Sequence, residues 1–355
     1  MKKELLIASA LVSTMGLASV AEAASSSFSG KMKVGVAGAD NDTSSDATTS
    51  EKQLSTFSVS ISETTDSGIK ISTGFDMAEE GSANDPSGLT LTFTDGSKLD
   101  LIEAGNASDS HAVSVPGPSG ELGVTGTSTH NAPSGIDFAG GGDAIGFEYH
   151  TAADAFGIDG FKAGISYSNG GNVTAVTTTD GGAAADSSMG IGVTYVADAG
   201  DTSVTIGAGY STGDYTNTLA ADESVTHVGI SAVTGDLTIA AGFASGNTLI
   251  NETTTAQDDE MTSAEVTKLG VKYVSGDMTF NVGMASGSAR DQDIGNDSDT
   301  SADDTYDSTG ASVDYVVAPG VTATVGFKDE SVKDEGATAN SSSGSSWYVG
   351  ATVSF

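Results

Sequence analysis

The last nine residues, Trp347 to Phe355, alternate without a break. Trp347, Val349, Ala351, Val353 and Phe355 fall on one face of an extended chain, and Tyr348, Gly350, Thr352 and Ser354 on the other. The same split runs from Leu237 to Ser245, where Leu237, Ile239, Ala241 and Phe243 oppose Thr238, Ala240, Gly242 and Ala244, and it returns from Met278 to Ala285. A period of two marks strands with unlike faces. Beyond the N-terminal stretch, Gly, Ser, Thr or Asp breaks every apolar run before it reaches the roughly 20 residues a membrane helix needs. If this chain crosses a membrane it crosses as strands, and strands in hydrocarbon must close on themselves to pair every backbone group.

Carried through the sequence, the pattern predicts about sixteen strands, near 28–38, 53–63, 68–77, 88–94, 97–103, 143–150, 161–169, 189–196, 202–210, 223–233, 237–245, 266–274, 278–286, 307–317, 321–328 and 347–355. The connections alternate in length. Short turns are expected at Thr65-Asp66-Ser67, Asp95-Gly96, Ala199-Gly200-Asp201, Gly235-Asp236, Gly276-Asp277 and Pro319-Gly320, all rich in residues that fix a turn or tolerate positive φ. Longer polar, acidic links lie between them. The expected fold is therefore all-β: a transmembrane up-and-down antiparallel β-barrel with short periplasmic turns and long extracellular loops. A soluble β-sandwich also alternates, but it has no reason to place aromatics at strand ends. Phe93, Tyr149, Phe161, Tyr195, Tyr273 and Tyr315 sit beside short turns, and Phe57, Phe75, Tyr167, Tyr210, Phe243, Phe327 and Trp347 beside long links, as two interfacial girdles.

Met1, Lys2 and Lys3, the apolar stretch from Leu5 to Val20 and the small-residue site Ala21-Glu22-Ala23 read as an export signal over 1–23, with one β domain over 24–355. The absence of cysteine excludes thiol catalysis and suits an exported chain without disulfide staples. Asp+Glu of 48 against Lys+Arg of 13 gives a net charge of −35, which argues against nucleic acid as a partner. The acids gather in Asp40 to Glu51, Asp258 to Glu260 and Asp291 to Asp307 rather than in the alternating segments.

The signal ending Ala21-Glu22-Ala23, the opening strand Phe28-Ser-Gly-Lys31-Met-Lys33-Val-Gly-Val-Ala, the strand pattern and the terminal strand closing on Phe355 resemble the general porins of Gram-negative bacteria, in particular the Rhodobacter-like type of alphaproteobacteria. The resemblance implies an outer-membrane location, contact with outer-membrane lipids and lipopolysaccharide, a homotrimer, passage of small polar solutes and ions, and recognition of Phe355 by the assembly machinery. It also implies that the third long link, 104–142, folds into the barrel and narrows it. The acids of that link include Asp109, Glu121 and Asp137, and Ile136-Asp137-Phe138-Ala139-Gly140-Gly141 is its nearest echo of the family's loop motif.

Lys33, Lys70, Lys162 and Lys272 fall on the polar faces of their strands. Facing lipid, a lysine costs about 2–4 kcal/mol at the midplane, so these four are expected to line the lumen, where the resemblance implies that Asp109, Glu121 and Asp137 of the third link face them. Asp291, Asp293, Asp297 and Asp299 offer hard oxygen ligands of the kind calcium takes, without the spacing of an EF-hand and with a solvated acidic loop as the simpler reading. The four histidines show no metal-ligand spacing. Gly209-Tyr210-Ser211-Thr212-Gly213 matches a nucleophile elbow, but no helical periodicity follows it. The expected function is a non-enzymatic, cation-preferring diffusion channel with no required cofactor. An exported adhesin or surface-layer protein, and a barrel hydrolase using Ser211, are the alternatives.

Overall fold

The computed structural model of the chain describes residues 24–41, 48–78, 85–86, 88–101, 105–119, 145–169, 185–215, 223–249, 261–290, 303–333 and 342–355. The predicted export signal, 1–23, lies outside these. The described strands, all in one sheet, are β1 (Ser25–Asn41), β2 (Thr48–Thr64), β3 (Lys70–Ala78), β4 (Asp85–Pro86), β5 (Leu89–Thr92), β6 (Lys98–Leu101), β7 (Ile145–His150), β8 (Phe161–Asn169), β9 (Ala185–Ala199), β10 (Thr202–Tyr215), β11 (Glu223–Thr234), β12 (Leu237–Leu249), β13 (Met261–Ser275), β14 (Met278–Arg290), β15 (Asp303–Ala318), β16 (Val321–Lys333) and β17 (Ser342–Ser354). Both β4 and β5 pair with β3, so they act as one interrupted strand and sixteen strands go round the barrel. Each sequence-predicted strand has its counterpart.

Apart from β4, which pairs with β3 alone, every strand pairs antiparallel with the strands on either side of it round the barrel, and β1 pairs with both β2 and β17, which closes the sheet. The seam runs in register from Lys31 opposite Ser354 to Asn41 opposite Gly344. Beyond it, Gly30 N–H donates to Phe355 O at 2.8 Å and Phe355 N–H to Gly30 O at 3.0 Å. The rings of Phe355 and Trp347 occupy the space a Cβ would need at Gly30 and Gly38, so two glycines of β1 seat two aromatics of the last strand.

The apolar faces point outward. Met32, Val34, Val36, Ile165, Ile191, Ile206, Val282, Val325 and Val349 are exposed on the outer wall. So are the aromatics Tyr167, Tyr195, Tyr210, Phe243, Tyr273, Tyr315, Phe327 and Trp347 of the two expected girdles. Such a continuous exposed apolar surface is a lipid-facing band. The six expected turns are present, with positive φ at Gly68, Gly96, Gly200, Gly235, Gly276 and Gly320. A seventh connection on that rim, between β7 and β8, holds a 3-10 turn (Ala155–Gly157) in which non-glycine Phe156 takes φ 60°.

Many strands outrun their predicted ends on the long-link side: β13 begins at Met261 and β15 at Asp303. The ladder continues where water, not lipid, meets both faces, so hydrogen bonding persists after the apolar alternation stops.

Adjacent residues of β10 test the two-faced wall. Ile206→Lys, on the outer face, should destabilise the folded barrel by about 2–4 kcal/mol, whereas Thr205→Lys, on the inner face, should change it little. Urea unfolding of the protein refolded in lipid vesicles reads the difference.

Candidate functional site

The link after β6 does not stay outside. It turns into the barrel, forms a single helical turn, α1 (Ala107–Ser110), and runs extended to Ser119 across the inner wall. Asn106 caps α1 by accepting from Ser108 N–H at 2.9 Å. Asn106, Ala107, Ser108 and His111 are all buried.

A track of glycines makes room for this segment. Gly190, Gly192, Gly207, Gly209, Gly229, Gly242, Gly270, Gly283 and Gly310 lie on the inner faces of β9 to β15, and a Cβ at each would meet atoms of Asn106 to Pro118. Several oppose each other directly across strands: Gly192 and Gly209, Gly207 and Gly229, Gly229 and Gly242, Gly270 and Gly283, Gly283 and Gly310. Glycine inside a strand is unfavourable by itself, and a close backbone approach is the usual reason for it. Here that approach is the strap crossing about half the circumference.

Polar contacts fasten both ends. Near α1, Ala107 N–H donates to Ser166 Oγ at 2.9 Å, Ser110 Oγ–H to Glu148 Oε1 at 2.5 Å, and His227 Nε2–H to Ser108 O at 2.8 Å. His111 reaches Thr194 Oγ1 through Nδ1 at 2.7 Å and His150 Nδ1 through Nε2 at 3.3 Å. At the far end, Ser119 N–H donates to Ser312 Oγ at 2.8 Å and Ser119 Oγ–H to Asp314 at 2.7 Å. Asp314 also accepts from Asn281 at 3.0 Å and Thr324 at 2.7 Å.

The wall register places Lys33, Lys70, Lys162 and Lys272 on the inner face; Lys162 and Lys272 share it with Gly164 and Gly270, which lie against His111 and Pro116 of the strap. Asp109 is exposed on α1 and borders a cleft of about 370 Å³ with Val113, Val115, Gly242 and Lys268. Glu121, Asp137 and the calcium candidates Asp291, Asp293, Asp297 and Asp299 lie outside the described residues. Lys268, opposite Gly242, and Lys328, ion-paired with Glu330, are further inner-face bases the sequence reading passed over. The gathering of His111, His150 and His227 around α1 was also invisible in sequence, because 116 residues separate the first from the last. The glycine track left a usable signal: a mid-strand glycine on the polar face of strand after strand.

Ser211 lies inside β10, which continues to Tyr215 with no turn and no helix after the Gly209-to-Gly213 pattern, so the elbow geometry is absent there.

A family model described as Gram-negative porin matches residues 8–335. A search of curated protein sequences finds no match. Among solved structures, the chain is similar to an anion-selective porin from Comamonas acidovorans, at 16% identity over 94% of this chain and 100% of that one, with a TM-score of 0.64. A porin refined at 1.8 Å resolution shares 19% identity over 93% and 100% of the two chains, TM-score 0.61. OmpT of Vibrio cholerae shares 14% over 95% and 99%, TM-score 0.57.

Two consequences are measurable. Gly270→Ala combined with Gly283→Ala places methyl groups against Pro116 and Gly117. It should lift the strap and raise single-channel conductance while leaving the barrel folded, as judged by heat-modifiable gel mobility.

The second concerns acid. Burial, then the neighbouring His150, hold His111 down at about 4 against an ordinary 6.5, with Lys162 and His227 acting the same way and Glu148 opposing them. The released ring takes its proton near 6.5 and the seated ring only near 4. Seating is therefore at full strength above about pH 6.5 and weakens as pH falls towards 4, by on the order of 3 kcal/mol in all. Protease protection of the strap should fall across that window, and His111→Gln should flatten the dependence.

Proposed function

Because this chain belongs to the Gram-negative porin family, whose members form channels in the outer membrane, we propose that its barrel passes small polar solutes and ions down their gradients, with no chemical step and no required cofactor. The observation that carries this reading is the strap from Asn106 to Ser119, seated on the glycine track inside a closed barrel. A segment bound along one side of the lumen divides the cross-section and leaves a narrower aqueous path beside it, lined by Asp109 and Lys268 among others. Calcium at the link from Asp291 to Asp299 is an optional addition and not part of the transport step.

Charge sets the proposed preference. Removing Lys2, Lys3, Glu4 and Glu22 with the signal leaves 46 acids and 11 bases. The described inner wall does not carry the excess of acids, since Lys31, Lys33, Lys52, Lys70, Lys98, Lys162, Lys268, Lys272 and Lys328 share its face with Asp76, Asp100, Glu148, Asp198, Asp314 and Glu330. Cation preference therefore comes from the acidic links at the mouth, which form a negative funnel. Assembly is as a homotrimer among outer-membrane lipids and lipopolysaccharide, through the outer face of the seam, where small Ala351 lies between exposed Val349 and Val353; Gly35, Ala37 and Gly350 face the lumen.

Planar-bilayer recording of the purified protein tests these points together. Stepwise conductance establishes the channel, and closure in three equal steps the trimer. Reversal potentials across a fixed salt ratio should show cation preference that fades as absolute salt rises, because the Debye length shrinks from about 10 Å at 0.1 M to about 3 Å at 1 M. Anion preference at low salt would sink the charge argument, and an absence of conductance would sink the channel itself.

A further inference from the structure

Asp100 on β6 and Glu148 on β7 stand directly opposite each other on the inner wall. Like charges in that register repel, and Glu148 is only 4% exposed, so water disperses little of its charge. No lysine or arginine pairs with either carboxylate among the described residues; Lys98, opposite His150, is exposed. His150, two residues along the same face of β7, brings Nε2 to 2.9 Å from Glu148 Oε1. One ligand atom from each of Asp100, Glu148 and His150 lies within 4.8 Å of the others.

The His150 ring is held by a relay that can present its second nitrogen to a ligand. Its Nδ1 faces His111 Nε2 at 3.3 Å, and His111 Nδ1 faces Thr194 Oγ1 at 2.7 Å. Two arrangements of hydrogens satisfy this chain with both rings neutral: Thr194 Oγ1–H donates to His111, His111 Nε2–H to His150 and His150 Nε2–H to Glu148, or the relay is reversed, with His150 Nδ1–H donating to His111 and His111 Nδ1–H to Thr194. In the first arrangement a proton bridges His150 Nε2 and Glu148 Oε1 at 2.9 Å; reversal of the relay frees the Nε2 lone pair, so that a metal ion can take the place of that proton. An imidazole whose second nitrogen donates to a fixed partner is the arrangement found behind metal-ligating histidines. The carboxylates are held as well, Asp100 by Thr90 and Glu148 by Ser110 of the strap.

We propose that Asp100, Glu148 and His150 form a binding site for a divalent transition cation of the zinc class on the lumen wall. Two carboxylate oxygens and one imidazole nitrogen are ligands zinc accepts, and water completes a four-coordinate site. The ion neutralises the opposed carboxylates. It also ties the strap to the wall, because Ser110 and His111 each hydrogen-bond to a ligand. The site needs no transport activity to exist, so its test is separate from that of the channel.

Zinc chloride titrated calorimetrically into the full-length folded protein in detergent, with excess magnesium to occupy the acidic links, should show one site per chain. His150→Ala and Asp100→Asn should each weaken it by at least about tenfold. Asp100→Asn is nearly isosteric and relieves a repulsion, so it keeps the test decisive should His150→Ala fail to regain heat-modifiable mobility. No zinc binding above the magnesium background, or equal affinity in folded variants and parent, overturns the proposal.

Discussion

A backbone amide or carbonyl left without a partner in hydrocarbon costs several kcal/mol, and a sheet with an edge leaves a whole row of them. The rest of this molecule follows from meeting that requirement at one place, the seam where β1 meets β17. The pairing from Lys31 with Ser354 to Asn41 with Gly344, continued by the reciprocal bonds of Gly30 and Phe355, joins the two edges an otherwise sequential meander would keep. The glycines of β1 let the two chains meet there with large rings still in place: Phe355 and Trp347 lie over Gly30 and Gly38 on the lipid side, and Tyr348 packs against Gly35 and Gly350 on the inner side. Closure therefore involves both walls at once.

Once the sheet is closed, its interior has to be shaped. A barrel of this size is wider than its own wall side chains can fill, and the chain meets this with its own segment. Residues 105–119 lie against β7 to β15, and the wall has given up side chains along that path. Each interior glycine costs roughly 0.5–1 kcal/mol relative to alanine, but a methyl at Gly270 or Gly283 would collide with Pro116 or Gly117. The strap is half-buried from Ala112 to Ser119 except at exposed Ser114, and the side-chain hydrogen bonds described for it gather at its ends, in the histidine and glutamate group at α1 and the Asp314 group at Ser119. That division, a rigid wall and a segment tied at two points, gives acid and metal ions a place to act without touching the barrel's ladder.

Period two, the turn residues and the girdle aromatics made the barrel legible in sequence, strand by strand, because lipid punishes a misplaced polar group as strictly as a core does. The same pattern placed Lys33, Lys70, Lys162 and Lys272 on the inner face. Strand ends on the long-link side were not legible, since polar residues there face water on both sides and carry no period. The resemblance implied that the link after β6 enters the lumen, but nothing in it named its seat. Glycines at 207, 229, 242, 270, 283 and 310 recur in sequence on polar strand faces, but only the register aligns them into one track.

The sequence by itself determined which residues face lipid and how many times the chain crosses, because those depend on neighbours one or two residues apart along each strand. Only the tertiary structure decided the register between strands, and with it the glycine track, the approach of His111 to His150, and the opposition of Asp100 to Glu148. These are contacts between residues dozens of positions apart. They follow from ladder pairing and closure, which fix the height of every residue around the barrel and leave no trace in local alternation.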